Sequence, residues 1–126
     1  MIMNKIDIKP LSVNQAWGGR TFKSARYKQY TKDVPLLLPP MLQLPPDKMV
    51  LLIKFYFSSK ASDIDNPVKP IQDIITRHYG VDDKHIYMQM IEKHVVKRGQ
   101  EKIEFEFLEY SPDMFDKCRE LIIKTD

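Results

Sequence analysis

The stretch from Met49 to Phe57 constrains the fold more than any other part of the chain. Alternating positions along it form one continuous apolar face: Met49, Leu51, Ile53, Phe55 and Phe57. The positions between them are mostly apolar as well. A strand that is apolar on both faces is usually covered on both, so we predict that this strand lies in the centre of a sheet.

The other segments predict a small number of elements around this strand. The predicted strands are Ile2 to Ile8, Ile86 to Lys97 and Lys102 to Tyr110. Helices are predicted from Ala25 to about Val34, after Asn66-Pro67, and from Pro112 to Lys124. The chain has 126 residues, enough for one domain with a core. We therefore predict a single α+β domain in which a mixed sheet of about four strands packs with helices.

Local signals set the expected ends and turns of these elements. Ser24 is a candidate cap for a helix whose inner face would be Tyr27, Tyr30 and Val34, and Pro35 is expected to end or kink that helix. The turn residues Gly99-Gln100 between the last two strands predict a hairpin. The final helix has an apolar stripe of five residues, Met114, Phe115, Cys118, Leu121 and Ile122, and either covers the sheet or extends a subunit interface.

Two pairs of carboxylates flank the middle helix. Asp63 and Asp65 precede it at a spacing of two, which in an extended segment puts both side chains on one side. Asn66 followed by proline is typical of a helix start, and Gly80 is suited to end the helix in a left-handed conformation. Asp82 and Asp83 follow at once. This order could gather three or four carboxylates in one place.

Gathered carboxylates repel one another, and a hard divalent cation removes that cost. Mg²⁺ is held by one or two carboxylates together with water and phosphate oxygens, which is the chemistry of metal-assisted phosphodiester hydrolysis. Lys69 is placed to neutralise the acids or to stabilise charge on a phosphate, and Asp73 is a candidate partner for it. The alternative is that Asp63, Asp65 and Asn66 are only a helix cap with favourable charges.

These residues resemble the RusA family of Holliday-junction resolvases. The family pattern is Asp-x-Asp-Asn-x-x-Lys before a helix and an Asp-Asp pair before the next strand, and the chain carries it at Asp63, Asp65, Asn66, Lys69 and Asp82-Asp83. The resemblance implies that Asp63, Asp65 and Asp83 bind Mg²⁺, with Mn²⁺ as the other candidate ion. It also implies that Lys69 is essential for catalysis and that residues 1–110 form a RusA-like nuclease domain. Residues 111–126 are then a helical extension of the same domain. Asp82 is a candidate to cap the turn or to support Asp83 beside the ion. Asp73 is a candidate supporting residue, exposed on the helix or paired with Lys69 or Arg77 rather than a ligand.

The chain also has a basic segment near its beginning. No acidic residue occurs between Ile8 and Lys32, and the segment is rich in lysine, arginine and aromatic residues. The candidate DNA contacts are Asn14, Arg20, Lys23, Arg26 and Lys28, together with Lys93, where the family often carries a basic residue. Lysine and arginine neutralise phosphates, and aromatic rings stack on unpaired bases. The alternative is a solvated surface with tyrosines packed beneath it.

These features together predict a Mg²⁺-dependent endonuclease that resolves four-way DNA junctions by paired symmetric nicks during recombination and repair. Two matched cuts predict a symmetric homodimer. The single cysteine, Cys118, and the lack of a leader-like or membrane-spanning stretch fit a cytoplasmic protein. Two alternatives stay open: a phage-type nuclease acting on other branched DNA, and a DNA-binding module without catalysis.

Overall fold

The computed structural model describes residues 3–11 and 24–124. Its strands are β1 (Asn4–Ile6), β2 (Met49–Phe57), β3 (Ile86–Val95) and β4 (Lys102–Glu109). Its helices are α1 (Ala25–Leu37), α2 (Val68–Tyr79) and α3 (Met114–Lys124), and a short 3₁₀ turn spans Asp83–His85. The strands form one mixed sheet in the order β1-β4-β2-β3. The predicted α+β domain with a four-stranded sheet is confirmed, although β1 is shorter than expected and Ile2 lies outside the described residues.

β2 occupies the centre of the sheet, as predicted. It pairs in parallel with β3, so that Met49 faces Ile86 and Phe57 faces Val95. On its other side it pairs in antiparallel with β4, with Tyr56 opposite Lys102. Backbone groups on both edges of β2 are therefore used in pairing.

The predicted hairpin between β3 and β4 is wrong, because β2 lies between these two strands. The connection 96–101 instead passes over the end of β2, where the Val96 backbone N–H donates to the Phe57 carbonyl at 2.7 Å. The turn residues at Gly99 were correctly recognised as a turn. After α2, the chain forms β3, which pairs in parallel with one edge of β2. The residues of a turn do not determine whether the next strand pairs with β3 or with the other edge of β2.

A single core joins the helices to one set of alternating strand residues. The inner face of α1 contributes the three predicted residues Tyr27, Tyr30 and Val34, all buried. α2 contributes Ile71 and Ile75. β2 and β4 contribute the rest, led by Phe55 and Phe105, which have no exposed surface. The acidic segment connects β2 to α2, so both elements that flank it belong to the same core.

The helix-terminus signals at Ser24, Pro35 and Asn66 have different outcomes. The Ser24 hydroxyl accepts a hydrogen bond from the Tyr27 backbone N–H at 3.1 Å, as expected for a cap. Pro35 lies inside α1, which continues to Leu37. The predicted Asn66 cap is wrong, because α2 begins after Pro67 without a side-chain cap hydrogen bond. The Asn66 amide binds Asp63 instead.

Gly80 ends α2 as predicted, with φ of 69°. Apart from the adjoining backbone, a Cβ atom placed there would meet no atom of the described residues within 4 Å, so the expected cost of a side chain is backbone strain. We expect Gly80→Ala to lower the free energy of unfolding by about 1 kcal/mol, and Gly80→Asn by less, because asparagine tolerates the left-handed region better than alanine. Urea unfolding of the two variants measures this difference, and equal costs would contradict it.

α3 does not cover the sheet. None of its residues is buried, and Phe115 in its apolar stripe is 67% exposed. The first of the two roles considered for this helix is therefore wrong, and a subunit interface stays a prediction. In the described parts of the chain, no helix is both long enough and apolar enough to cross a membrane.

Candidate active site at the end of β2

The first acid of the pattern lines a pocket where the chain leaves β2. Asp63 is exposed, and its carboxylate accepts a hydrogen bond from the Asn66 side-chain amide at 3.0 Å. The cavity has a volume of about 410 Å³, and Lys9, Ser58 and Glu101 also line it. The asparagine of the motif therefore orients the acid three residues before it, rather than capping α2.

Asp65 lies on a different part of the surface. Residues 64–67 bend and turn instead of remaining extended, and the Asp65 carbonyl accepts the backbone N–H of Val68 at 3.2 Å. The Asp65 side chain is exposed and lines a neighbouring pocket with Lys69 and Gln89. The spacing argument assumed an extended segment, and this bend explains why the two acids line separate pockets.

Lys69 lies in the first turn of α2, even though Pro70 follows it. Its ammonium group is 3.2 Å from the nearer carboxylate oxygen of Asp73, one helical turn later. The predicted pairing of Lys69 with Asp73 is confirmed. The lysine side chain is 74% exposed, so this ion pair contributes little to stability, and the ammonium group can leave it for a phosphate without a large cost.

The second acid pair lies at the other end of the sheet. Asp82 caps the 3₁₀ turn, because its carboxylate accepts the Lys84 backbone N–H at 3.1 Å. Asp83 is exposed, and both acids line a pocket with Asp73 and Arg77. Since β3 runs parallel to β2, its beginning faces Met49, whereas Asp63 follows Phe57.

The three predicted ligands Asp63, Asp65 and Asp83 are therefore not gathered within one chain. Within residues 3–11 and 24–124, no group of three or more histidine, cysteine, aspartate or glutamate side chains could hold a metal ion. α2 alone separates the two acid pairs by about 18 Å, at a rise of about 1.5 Å per residue. The assignment of these residues as ligands of one ion stays a prediction.

The predicted DNA contacts are only partly described. Asn14, Arg20 and Lys23 lie outside the described residues. Arg26 and Lys28 are exposed on α1. The ammonium group of Lys93 on β3 donates to the carbonyl of Lys60 at 2.7 Å, so this lysine contacts the segment that carries the acids.

Glu101 and Lys9 are the residues of the Asp63 pocket that the sequence did not reveal. Glu101 accepts a hydrogen bond from the Ser58 hydroxyl at 2.9 Å. It reaches the pocket only because the connection 96–101 crosses the end of β2, and the hairpin predicted from the turn would have placed it elsewhere. Lys9 belongs to the basic segment between Ile8 and Lys32, and no local pattern links it to the acids.

Comparison with known proteins agrees with the motif. The family model described as endodeoxyribonuclease RusA matches residues 9–106, which include β2, the acidic segment, α2, β3 and most of β4. The match ends before α3. A search of curated proteins returned no match. The family model covers most of the chain and includes every residue of the acidic pattern, so this chain belongs to the RusA family of endodeoxyribonucleases, the Holliday-junction resolvases.

Proposed function

We propose that the protein is a Mg²⁺-dependent, structure-selective endonuclease that resolves Holliday junctions by paired symmetric nicks in DNA recombination and repair. The observation that carries this proposal is the match of the family model to the whole acidic pattern, whose first acid, Asp63, lines an open pocket just after the end of β2. A DNA substrate and a free Cys118 also fit a cytoplasmic protein.

The chemistry of the side chains fits a divalent cation. Asp63, Asp65 and Asp83 are exposed carboxylates, and such hard oxygen donors suit Mg²⁺ or Mn²⁺. A single chain presents at most two of them at the end of β2, which is enough for an ion that takes its remaining ligands from water and phosphate. When bound, the ion supplies an acidified water and neutralises charge on the phosphate.

The chain's own residues would position the substrate and the acids. Asn66 fixes the orientation of the Asp63 carboxylate through the hydrogen bond at 3.0 Å. Lys69 lines the same pocket as Asp65, so its ammonium group can bind a phosphate oxygen there and stabilise the additional negative charge of the transition state. Arg26 and Lys28, with the predicted contacts Asn14, Arg20, Lys23 and Lys93, would hold the DNA backbone.

A homodimer would supply a second active site and would allow Asp83 of one copy to approach Asp63 of the other. Resolution needs two matched cuts, and one chain carries one Asp63-Asp65 pair. The parallel pairing of β2 and β3 also leaves Asp83 at the opposite end of the sheet. A second copy in reversed orientation could therefore bring its Asp83 to the end where Asp63 lies. The candidate interface surfaces are α3 and the segment Leu36–Leu44, in which Leu36 is 83% and Met41 86% exposed.

We expect the wild-type protein to sediment as a dimer, and Leu36→Asp combined with Met41→Asp to shift it toward the monomer. Burying a charge in an apolar interface is costly, so dissociation should accompany a loss of paired cutting. Gln43→Asp, at an exposed polar position of the same segment, is the matched control. Analytical ultracentrifugation measures the mass, and a monomeric variant that still makes both cuts would contradict the proposal.

Cleavage of a panel of branched substrates separates this function from the alternatives. Four-way junctions, three-way junctions, flaps and linear duplex are compared with Mg²⁺ and with chelator. A resolvase cuts the four-way junction first and only with the metal. Equal cutting of three-way junctions or flaps indicates a broader branched-DNA nuclease. Binding without cutting in any divalent metal indicates a DNA-binding module whose acids are structural.

A further inference from the structure

The pocket that contains Asp63 has a second wall, formed by the connection 96–101. Glu101 from this connection is the pocket's other carboxylate among the described lining residues. One of its oxygens accepts the Gly99 backbone N–H at 2.7 Å, and the other accepts the Ser58 hydroxyl at 2.9 Å. Each oxygen of Glu101 thus accepts a hydrogen bond from the protein itself.

Hydrogen bonds and a nearby positive charge stabilise the ionised form of the Glu101 carboxyl. Its own backbone N–H, the Ser58 hydroxyl, the Gly99 N–H and the positive charge of Lys9 together hold the pKa of this carboxyl below its usual range. Glu101 is therefore ionised at neutral pH, and hydrogen bonds to a carboxylate are stronger than those to a neutral acceptor. The ionised carboxylate therefore strengthens the hydrogen bond that it accepts from the Ser58 hydroxyl.

Ser58 is the first residue after β2, and the chain reaches Asp63 five residues later. The hydrogen bond from the Val96 backbone N–H to the Phe57 carbonyl holds the connection 96–101 against the end of β2. One residue further along the chain, the Ser58 hydroxyl donates a hydrogen bond to Glu101. The Lys93 ammonium group donates another to the carbonyl of Lys60. These two side-chain contacts hold the segment that leads from β2 to Asp63. They lie beyond the last residue of β2 and are not part of the pairing between strands.

We propose that Glu101 is a positioning residue of the active site. By holding the Ser58 hydroxyl it fixes the course of residues 58–63 and keeps the Asp63 carboxylate in its pocket. This role rests on the proposed nuclease function. In this role Glu101 acts through the Ser58 hydroxyl and not on the DNA, and each of its oxygens accepts a hydrogen bond from the protein.

The test uses Ser58→Ala, Glu101→Ala, Glu101→Gln and the double alanine variant of the full chain. Each single alanine variant should lower kcat for junction cleavage by roughly 10- to 100-fold with KM nearly unchanged, the usual effect of losing a residue that orients a site ligand. The double variant should be no worse than the more impaired of the two single variants, because both substitutions remove the same bond between Ser58 and Glu101. Glu101→Gln retains an acceptor and should recover part of the rate.

Amide hydrogen exchange gives a second measurement that does not depend on activity. Residues 58–63 should exchange faster in the alanine variants, whereas β2 itself should not. Glu104→Gln is the matched control, because Glu104 on β4 accepts a hydrogen bond from the Tyr56 hydroxyl on β2 and is not among the residues that line the pocket. Unchanged exchange in residues 58–63 would overturn the positioning role, even if the wild-type protein cut no DNA. An inactive wild type with faster exchange in the variants would overturn only the nuclease function.

Discussion

Replacing Asp65 by asparagine is expected to reduce the rate of junction cleavage by roughly 1,000-fold. A metal ion stabilises transition-state charge by several kcal/mol, and about 1.4 kcal/mol corresponds to tenfold in rate. Asparagine has nearly the same shape as aspartate but lacks the charge that binds the ion. Asp65 is exposed, so the substitution should leave folding unaffected. Single-turnover cleavage of a labelled four-way junction in Mg²⁺ measures the effect.

Binding of the junction should survive the same substitution, or become tighter, because it removes a negative charge near the phosphates. A gel-shift titration in calcium or chelator at fixed salt measures binding separately from cutting. The matched control is Asp116→Asn, another exposed aspartate, which lies on α3 far along the chain from the acidic pattern. Cleavage within a few-fold of wild type in the Asp65 variant would contradict the role of this acid.

Phe55→Ala should have the largest effect on stability, lowering the free energy of unfolding by about 4 kcal/mol. Phe55 has no exposed surface and lies on β2, one of the two inner strands of the sheet. Its ring is 6.0 Å from that of Phe57. Removing a buried phenylalanine ring loses its transfer free energy and leaves a cavity, which together cost about 3–5 kcal/mol. Urea unfolding monitored by circular dichroism at one low protein concentration measures the loss.

Phe115→Ala is the control for Phe55→Ala, because it removes the same phenyl ring from an exposed position. Phe115 is 67% exposed on α3, so its loss should change the unfolding free energy by no more than about 0.5 kcal/mol. A cost below about 1 kcal/mol for Phe55→Ala would show that β2 is not the centre of the core. A large cost for Phe115→Ala at higher protein concentration would point to a subunit interface on α3.

Patterns that act within one element were predictable from the sequence. The apolar alternation of Met49–Phe57 identified the central strand, and the spacing of Tyr27, Tyr30 and Val34 identified the buried face of α1. The helix end at Gly80 followed from the freedom of glycine at positive φ. The order of β3 and β4 was not predictable, because it depends on which strand fills the second edge of β2, and no local signal reports that choice.

In the candidate site too, residues that are close in the sequence were predictable, and residues that only the fold brings together were not. The acids and Lys69 were found because they lie close together in the sequence, in the order of a family pattern. Whether Asp83 lies beside Asp63 depends on the direction of β3, and the parallel pairing places the two acids at opposite ends of the sheet. Glu101 was missed because it meets Ser58 across 43 residues of chain, over the end of β2.

Mapping the nicks on a four-way junction tests the central claim most directly. Each of the four strands is end-labelled in turn, and the products are sized after incubation with Mg²⁺ or with chelator, beside linear duplex of the same arms. The account predicts pairs of nicks at symmetric positions on opposing strands, made only with Mg²⁺ and absent from the duplex. Equal cutting of the duplex, or junction binding without cleavage in any divalent metal, would contradict it.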